Sequence, residues 1–327
     1  MKIVFSLFSI FFVSCALNQV NPIAFREPSS TQLECQKFYQ YPLGRLSAHE
    51  NKLFKSVIKN NKAVGYQINL ERVQNELFAL ERRYQNELTL TKIGNYDGED
   101  IFRIDIPAWN DSPKNRIIIS AGAHGNESAG VATVFALIEK IIYSPEVRSQ
   151  FDIVIIPYLN PGGLKNNMRR LNNNIDLNRS FKSGSETGVT KMVQENLKGE
   201  SFNLALDLHE APTRNKFFII KSDIDDNQLT RKVLSKIDQE HLITSTDGTY
   251  PGVMGMSSDP KKKAYDLYGP GEVASSNHGT VKGFYKNKLG VKYSYTLEAP
   301  GKFDLNQKIE IYTDIVESYF YEFLKLN

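Results

Sequence analysis

Residues 116–127 read Arg-Ile-Ile-Ile-Ser-Ala-Gly-Ala-His-Gly-Asn-Glu, and this stretch decides the fold. Ile117, Ile118, Ile119 and, past Ser120, Ala121 make an apolar run of the kind expected for a strand buried on both faces. Gly122, His124, Gly125, Asn126 and Glu127 follow, and then the helical pattern AGVATVFALIEKII. A histidine and a glutamate three residues apart therefore stand at the carboxyl end of a buried strand, just before a helix. Open α/β sheets place their sites there. Across the Gly-Asn turn, His124 and Glu127 are close enough to grip one ion. Because His-x-x-Glu also arises by chance, its weight rests on a third ligand and a base further along the chain.

Upstream of this strand, Leu70, Val73, Leu77, Leu80 and Tyr84 recur at helical spacing with charges between them. LTLTKIGNYDGEDIFRIDIP then reads as two strands joined at Asp97-Gly98. Downstream, the run from Phe151 to Tyr158 is a second buried strand and ends in Asn160-Pro161-Gly162-Gly163. Ser201 to Leu208, Phe217 to Lys221 and Val291 to Leu297 read as further strands, and Gln307 to Leu324 as a closing helix. Strand, helix and strand in alternation predict an α/β fold with a mixed, mostly parallel central sheet and helices on both faces. Residues 71–327 are expected to form this domain.

The chain has 327 residues, 41% of them hydrophobic and 24% charged, which gives ample material for a core. A formal charge of +3 is too small to argue for nucleic acid, and the one basic run, Lys261-Lys262-Lys263, reads as a solvated loop. Lys2 and the apolar IVFSLFSIFFVS read as a signal peptide over residues 1–15, too short to span a bilayer as a stable helix. A small residue, Ser14, precedes Cys15, which resembles a bacterial lipobox with cleavage before Cys15 and lipid on its thiol. An ordinary signal peptide is the alternative, and either one exports the protein. Ala16 supplies no acidic retention signal, so the expected place is the cell envelope, at the outer membrane or in the periplasm. Cys35, the second of two cysteines, then has no partner and reads as a spectator thiol. Residues 16–70 are expected to be a tether and linker, and nothing in the sequence sets an oligomeric state.

His209 closes SFNLALDL, so a second histidine projects from a strand's carboxyl end. Two histidines and a carboxylate leave one position on tetrahedral zinc for water, the layout of a catalytic site. His49, His241 and His278 stand at no comparable strand end. Glu298, in SYTLEAP, arrives at the same edge and could take the water's proton and pass it to a departing amine. Glu210 is the next candidate for that role. Between these residues, positions 168–179 place three arginines, one aspartate and four asparagines around a few apolar residues. Arginine forks bind carboxylates and stabilise oxyanions, and Asp176 could orient a histidine through its other ring nitrogen.

AHGNE, NPGG, RRLNNNIDLNR, DLHE and TLEAP, in this order, resemble the zinc carboxypeptidase family of the funnelin type, over roughly Leu88 to the C-terminus. HGNE with a short interval to DLH is especially similar to the branch of murein-peptide amidases, aspartoacylase and succinylglutamate desuccinylase. The resemblance implies His124, Glu127 and His209 as zinc ligands, Glu298 as general base and Asp176 as partner of a zinc histidine. It implies Asn178 and Arg179 as binders of a substrate's terminal carboxylate. It also selects Arg169 over Arg170 for the oxyanion, ten positions before the arginine of DLNR. The family's usual Asn-Pro-Asp-Gly is Asn160-Pro161-Gly162-Gly163 here. Tyr265, Tyr268 and Tyr285 are candidates for the mobile tyrosine of peptidase members, and the aperiodic interval Thr244 to Gly283 reads as a pocket wall.

The leading expectation is a zinc metallocarboxypeptidase or peptide amidase that cuts an amide beside a free carboxylate. An N-acyl-amino-acid deacylase is the alternative. A lipid-anchored binding protein on a catalytically dead scaffold is a third.

Overall fold

The computed structural model describes residues 69–110, 115–211, 216–221, 227–238, 241, 279–301 and 303–326. The leader, Cys15, Cys35, residues 16–68 of the expected tether, His49, Lys261 to Lys263, Tyr265, Tyr268 and His278 lie outside the described residues, and Leu70 already belongs to the first helix.

Seven strands make one sheet: β1 (Thr89–Tyr96), β2 (Glu99–Ile106), β3 (Asn115–Ala121), β4 (Phe151–Ile156), β5 (Leu204–Ala211), β6 (Phe218–Lys221) and β7 (Tyr293–Pro300). Their order is β1-β2-β4-β3-β5-β7-β6. The central four, β4, β3, β5 and β7, run parallel, while β2 and β6 flank them antiparallel. β1 and β2 form the expected hairpin, and Asp97 (φ 53°) and Gly98 (φ 83°) take the left-handed pair of angles that a two-residue turn requires.

The helices are α1 (Leu70–Arg83), α2 (Ser128–Ile142), α3 (Pro145–Arg148), α4 (Pro161–Asn166), α5 (Gly188–Asn196), α6 (Asn227–Leu234), α7 (Val281–Leu289) and α8 (Leu305–Leu324). The parallel strands are apolar on both sides, as the run of isoleucines requires. Ile117 and Ile119 join the core shared with α1, α2, α6 and α8. Ile118 joins the smaller core under α5 and α7. The mixed sheet with helices on both faces is therefore the observed architecture.

Strands β5 and β7 lie further along the chain than the sequence reading places them. β5 starts at Leu204 and β7 at Tyr293, and their ladder continues from His209↔Glu298 to Ala211↔Pro300. His209 and Glu298 thus lie within paired strands rather than at free ends. Register partners in a parallel pair face the same side. His209 and Glu298 therefore share a face with Asp207, two residues back, and with Ser120, the partner of Asp207 on β3. Glu210 faces the opposite side.

Close backbone approach sets the strand-to-helix turn. A Cβ on Gly125 would fall 1.9 Å from the carbonyl carbon of Gly163 in α4. Gly125→Ala should therefore force the backbone next to His124 to move and cost about 1–3 kcal/mol of stability, the usual range for overpacking. Gly98→Ala, at φ 83° in open space, should cost only about 1 kcal/mol from backbone strain. Denaturant unfolding of the two variants checks this order, and equal losses would contradict it.

Candidate active site

Three elements deliver the cluster. β3 ends at Ala121, and Gly122, with a φ of 62°, turns the chain just before His124. Glu127 is the N-cap of α2, yet its side chain makes no capping bond because it points at the histidines. His209 arrives from β5. One ligand atom from each of His124, Glu127 and His209 lies within 4.8 Å of the others, and all three residues are buried.

The carboxylate of Glu127 is divided between the two rings. His124 Nδ1 lies 2.7 Å from Oε1, and His209 Nδ1 lies 2.7 Å from Oε2. The opposite ring nitrogens are held by other carboxylates, His124 Nε2 by Asp176 at 3.1 Å and His209 Nε2 by Asp207 at 2.8 Å. A ring whose Nε2 proton is donated to a carboxylate turns a Nδ1 lone pair toward the centre, the arrangement of metal-bound histidines. Two imidazoles and one carboxylate suit zinc. The donor set therefore fits a catalytic zinc ion.

Burial works against a charged Glu127, but His124 and His209 outweigh it and hold this carboxyl well below its ordinary range. For His209, burial opposes the charged ring, while Asp207 and Glu127 overcome it and hold its pKa well above the usual histidine value. Burial likewise opposes ionisation of Asp176, and His124, Arg169 and Arg179 reverse the balance, so it stays ionised.

Of the two adjacent arginines, Arg169 reaches the cluster, with Nη1 3.0 Å from Glu127 Oε1 and Nη2 3.4 Å from Asp176 Oδ2. Its side chain is 43% exposed, so the guanidinium bridges cluster and solvent. Arg170 turns away and donates to the carbonyl of Asn174. Asn178 is buried, with Oδ1 accepting from Val281 N and Nδ2 3.3 Å from His209 Nε2. Arg179 is exposed beside it and donates to the Asn178 carbonyl. Gly279 packs so closely on Arg179 that a Cβ would lie 2.4 Å from its carbonyl oxygen.

Glu298 shares the face of His209 and remains partly accessible. Burial pushes its pKa from 4.5 up to about 8; His209 and Arg169 pull it down, while Glu127 and Asp207 add to the rise. Glu210 lies on the other face, its carboxylate bonded to Lys308 and to the Ala129 amide, which removes it as a second candidate base. Tyr285 is fully buried in α7 against Ser120, so it is no mobile tyrosine at a pocket mouth. His241 packs its ring edge-on against Phe303 and is not one of the clustered ligand residues.

Sequence reasoning missed Asp207. Its signal was present, because the second residue before a strand histidine shares that histidine's face.

The catalytic-domain model of succinylglutamate desuccinylase/aspartoacylase matches residues 113–266. That span holds His124, Glu127, the arginine loop and His209. Over this span the chain is similar to the succinylglutamate desuccinylase/aspartoacylase catalytic domain, and its buried His-Glu-His cluster can hold a zinc ion. It is 31% identical over 117 residues to carboxypeptidase 2 of Trichophyton tonsurans, covering 35% of this chain and 21% of that protein. It is 32% identical over 95 residues to the inactive metallocarboxypeptidase ECM14 of Paracoccidioides brasiliensis (strain Pb03), covering 26% and 16%. The matched stretch thus spans about a fifth or less of these curated relatives. In fold, it resembles a metallo-carboxypeptidase from Burkholderia cenocepacia, with a TM-score of 0.62 and 14% identity over 81% of this chain and 71% of that one.

The raised carboxyl of Glu298 gives a pH test in the metal-free protein. A carboxyl whose pKa is higher folded than unfolded adds stability that is complete below 4.5 and lost as pH rises through about 8. Wild type should therefore lose stability relative to Glu298→Gln across this window, and loading with zinc should shrink the difference because a dication favours the carboxylate. Chemical denaturation from pH 4 to 9 reads it. A pH-independent difference would show that Glu298 is not held protonated.

Proposed function

We propose that the protein is a zinc-dependent hydrolase that cleaves the amide of N-acyl amino acids, with the free carboxylate of the substrate held beside the scissile bond. The match of the deacylase-branch catalytic domain across all three ligand residues and the arginine loop carries this reading. Bound zinc would supply an activated water and polarise the carbonyl. His124, Glu127 and His209 hold it, with Asp176 and Asp207 fixing the two rings. Glu298 takes the proton of the attacking water and delivers it to the departing amine nitrogen. Arg169, already beside the cluster, meets the carbonyl oxygen as it becomes anionic. Arg179, next to Asn178, is the guanidinium placed to bind the substrate carboxylate in paired hydrogen bonds, which fixes the amide for attack.

A second reading is a carboxypeptidase or peptide amidase. It is favoured by the names of the curated relatives and by the export-type leader at residues 1–15. The rates kcat/KM for acetyl and succinyl amino acids, set against peptides with free and with amidated C-termini, separate the two. The deacylase reading expects small N-acyl amino acids to be preferred over every peptide. Preference for free-ended peptides would replace it with the peptidase reading. In either case, amidation of the substrate or Arg179→Ala should cost roughly tens to hundreds-fold. Glu298→Gln should cost roughly 10²- to 10⁴-fold while zinc stays bound.

The lipid anchor at Cys15 and a place in the cell envelope are part of the same proposal. No helix among the described residues is long and apolar enough to cross a membrane. Wild type should enter the detergent phase and Cys15→Ser the aqueous phase. Wild type found in the aqueous phase would remove the anchor.

A further inference from the structure

Behind the cluster, on the opposite face of β5, a buried ion pair joins Lys308 of α8 to Glu210 at 2.7 Å, each side chain 2% exposed. It belongs to none of the chemistry above. Local stability does not explain it. Lys308 is the fourth residue of α8, where the helix dipole opposes a cation. A buried ion pair recovers its desolvation cost only with good geometry, and apolar residues of similar size usually serve as well or better.

Its connections lead to Glu127. The other oxygen of Glu210 accepts the Ala129 amide in the first turn of α2. That acceptor is needed because Glu127, the N-cap, has turned its side chain to the histidines and caps nothing. The Glu210 main-chain amide then donates to Glu127 Oε2 at 3.0 Å. Glu210 thus reaches Glu127 by two routes: its main-chain amide donates directly to the Glu127 carboxylate, and its own carboxylate holds the Ala129 amide two residues further along. One turn beyond Lys308, Tyr312 places its hydroxyl against the carbonyls of His209 and Leu297. Residues four apart on one face of α8 therefore hold consecutive residues of β5.

We infer that the Lys308–Glu210 pair is a positioning device for the metal centre. It fixes Glu127 and the end of β5 so that Glu127 and His209 keep one spacing when the metal binds. Lys308 acts through Glu210, and Glu210 acts through Glu127; neither touches substrate. The inference rests on the zinc reading of the cluster.

The test uses the full-length protein and the variants Lys308→Met, Glu210→Gln and the two combined. Lys308→Met alone strands a buried carboxylate and should lower Tm. The double variant removes both charges while the glutamine carbonyl still accepts from Ala129, and should keep a Tm near that of wild type. Zinc affinity is measured on metal-free protein by competition with a chromophoric chelator. Loss of a residue that orients ligands costs roughly 10- to 100-fold in metal affinity. The double variant should show a loss in that range, and its kcat should fall with KM nearly unchanged. A double variant that folds and binds zinc as tightly as wild type overturns the inference and leaves the zinc reading standing. A double variant that fails to fold shows a merely structural role and also overturns it. A wild type that takes up no zinc overturns both.

Discussion

One buried carboxylate carries the structure of this site. Glu127 shares its two oxygens among His124 Nδ1, His209 Nδ1, the Arg169 guanidinium and the Glu210 main-chain amide. A charge so far from water is tolerable only among polar partners, and two ring nitrogens, a guanidinium and a main-chain amide supply them. That demand explains why α2 begins without a side-chain cap and why a second carboxylate is recruited to its first turn. It also explains why both rings need anchors of their own. With Glu127 at the centre, Asp176 and Asp207 must hold the outer nitrogens, or either ring could rotate out of line.

The sheet turns this demand into geometry. β3, β5 and β7 are adjacent and parallel, so their carboxyl ends meet at one edge, and register sets Ser120 beside Asp207 and His209 beside Glu298. Ser120 donates to Asp207 at 2.8 Å, which leaves the other oxygen of Asp207 for His209. Alternation along β5 then divides labour between faces. Asp207 and His209 look toward the reacting side, while Leu208 and Glu210 look toward α2 and α8. Polar groups on the two sides of one strand therefore share a single ligand, and the environment that raises the Glu298 pKa is built from the same residues.

Much of this was legible in the sequence, for a physical reason. The parallel strands are buried on both faces and so appear as unbroken apolar runs, and ligands at their ends fall beside turn residues. The hairpin at Asp97-Gly98 and the histidines and glutamates of the cluster were readable this way. Helices α5, α6 and α7 were not. α7 carries Gly283 in its interior and takes its limits from Thr280 and Gly290, while α5 starts on a threonine-threonine capping box rather than the usual glutamate partner. The strand ends of β5 and β7 were misjudged because each is lengthened by pairing with the other. Lys308 and Tyr312 were hidden for a further reason. A buried lysine on an amphipathic helix is indistinguishable in sequence from a surface one until topology places it against Glu210.

The central claim is that His124, Glu127 and His209 together hold one zinc ion, the histidines through Nδ1. Zinc-edge X-ray absorption of the loaded protein tests this most directly. The account predicts nitrogen and oxygen scatterers at about 2.0–2.1 Å, in a four-coordinate shell with the outer-ring signature of two imidazoles. His209→Ala should remove one imidazole from that signature. A shell containing sulfur at about 2.3 Å, or six oxygens with no imidazole, would contradict it.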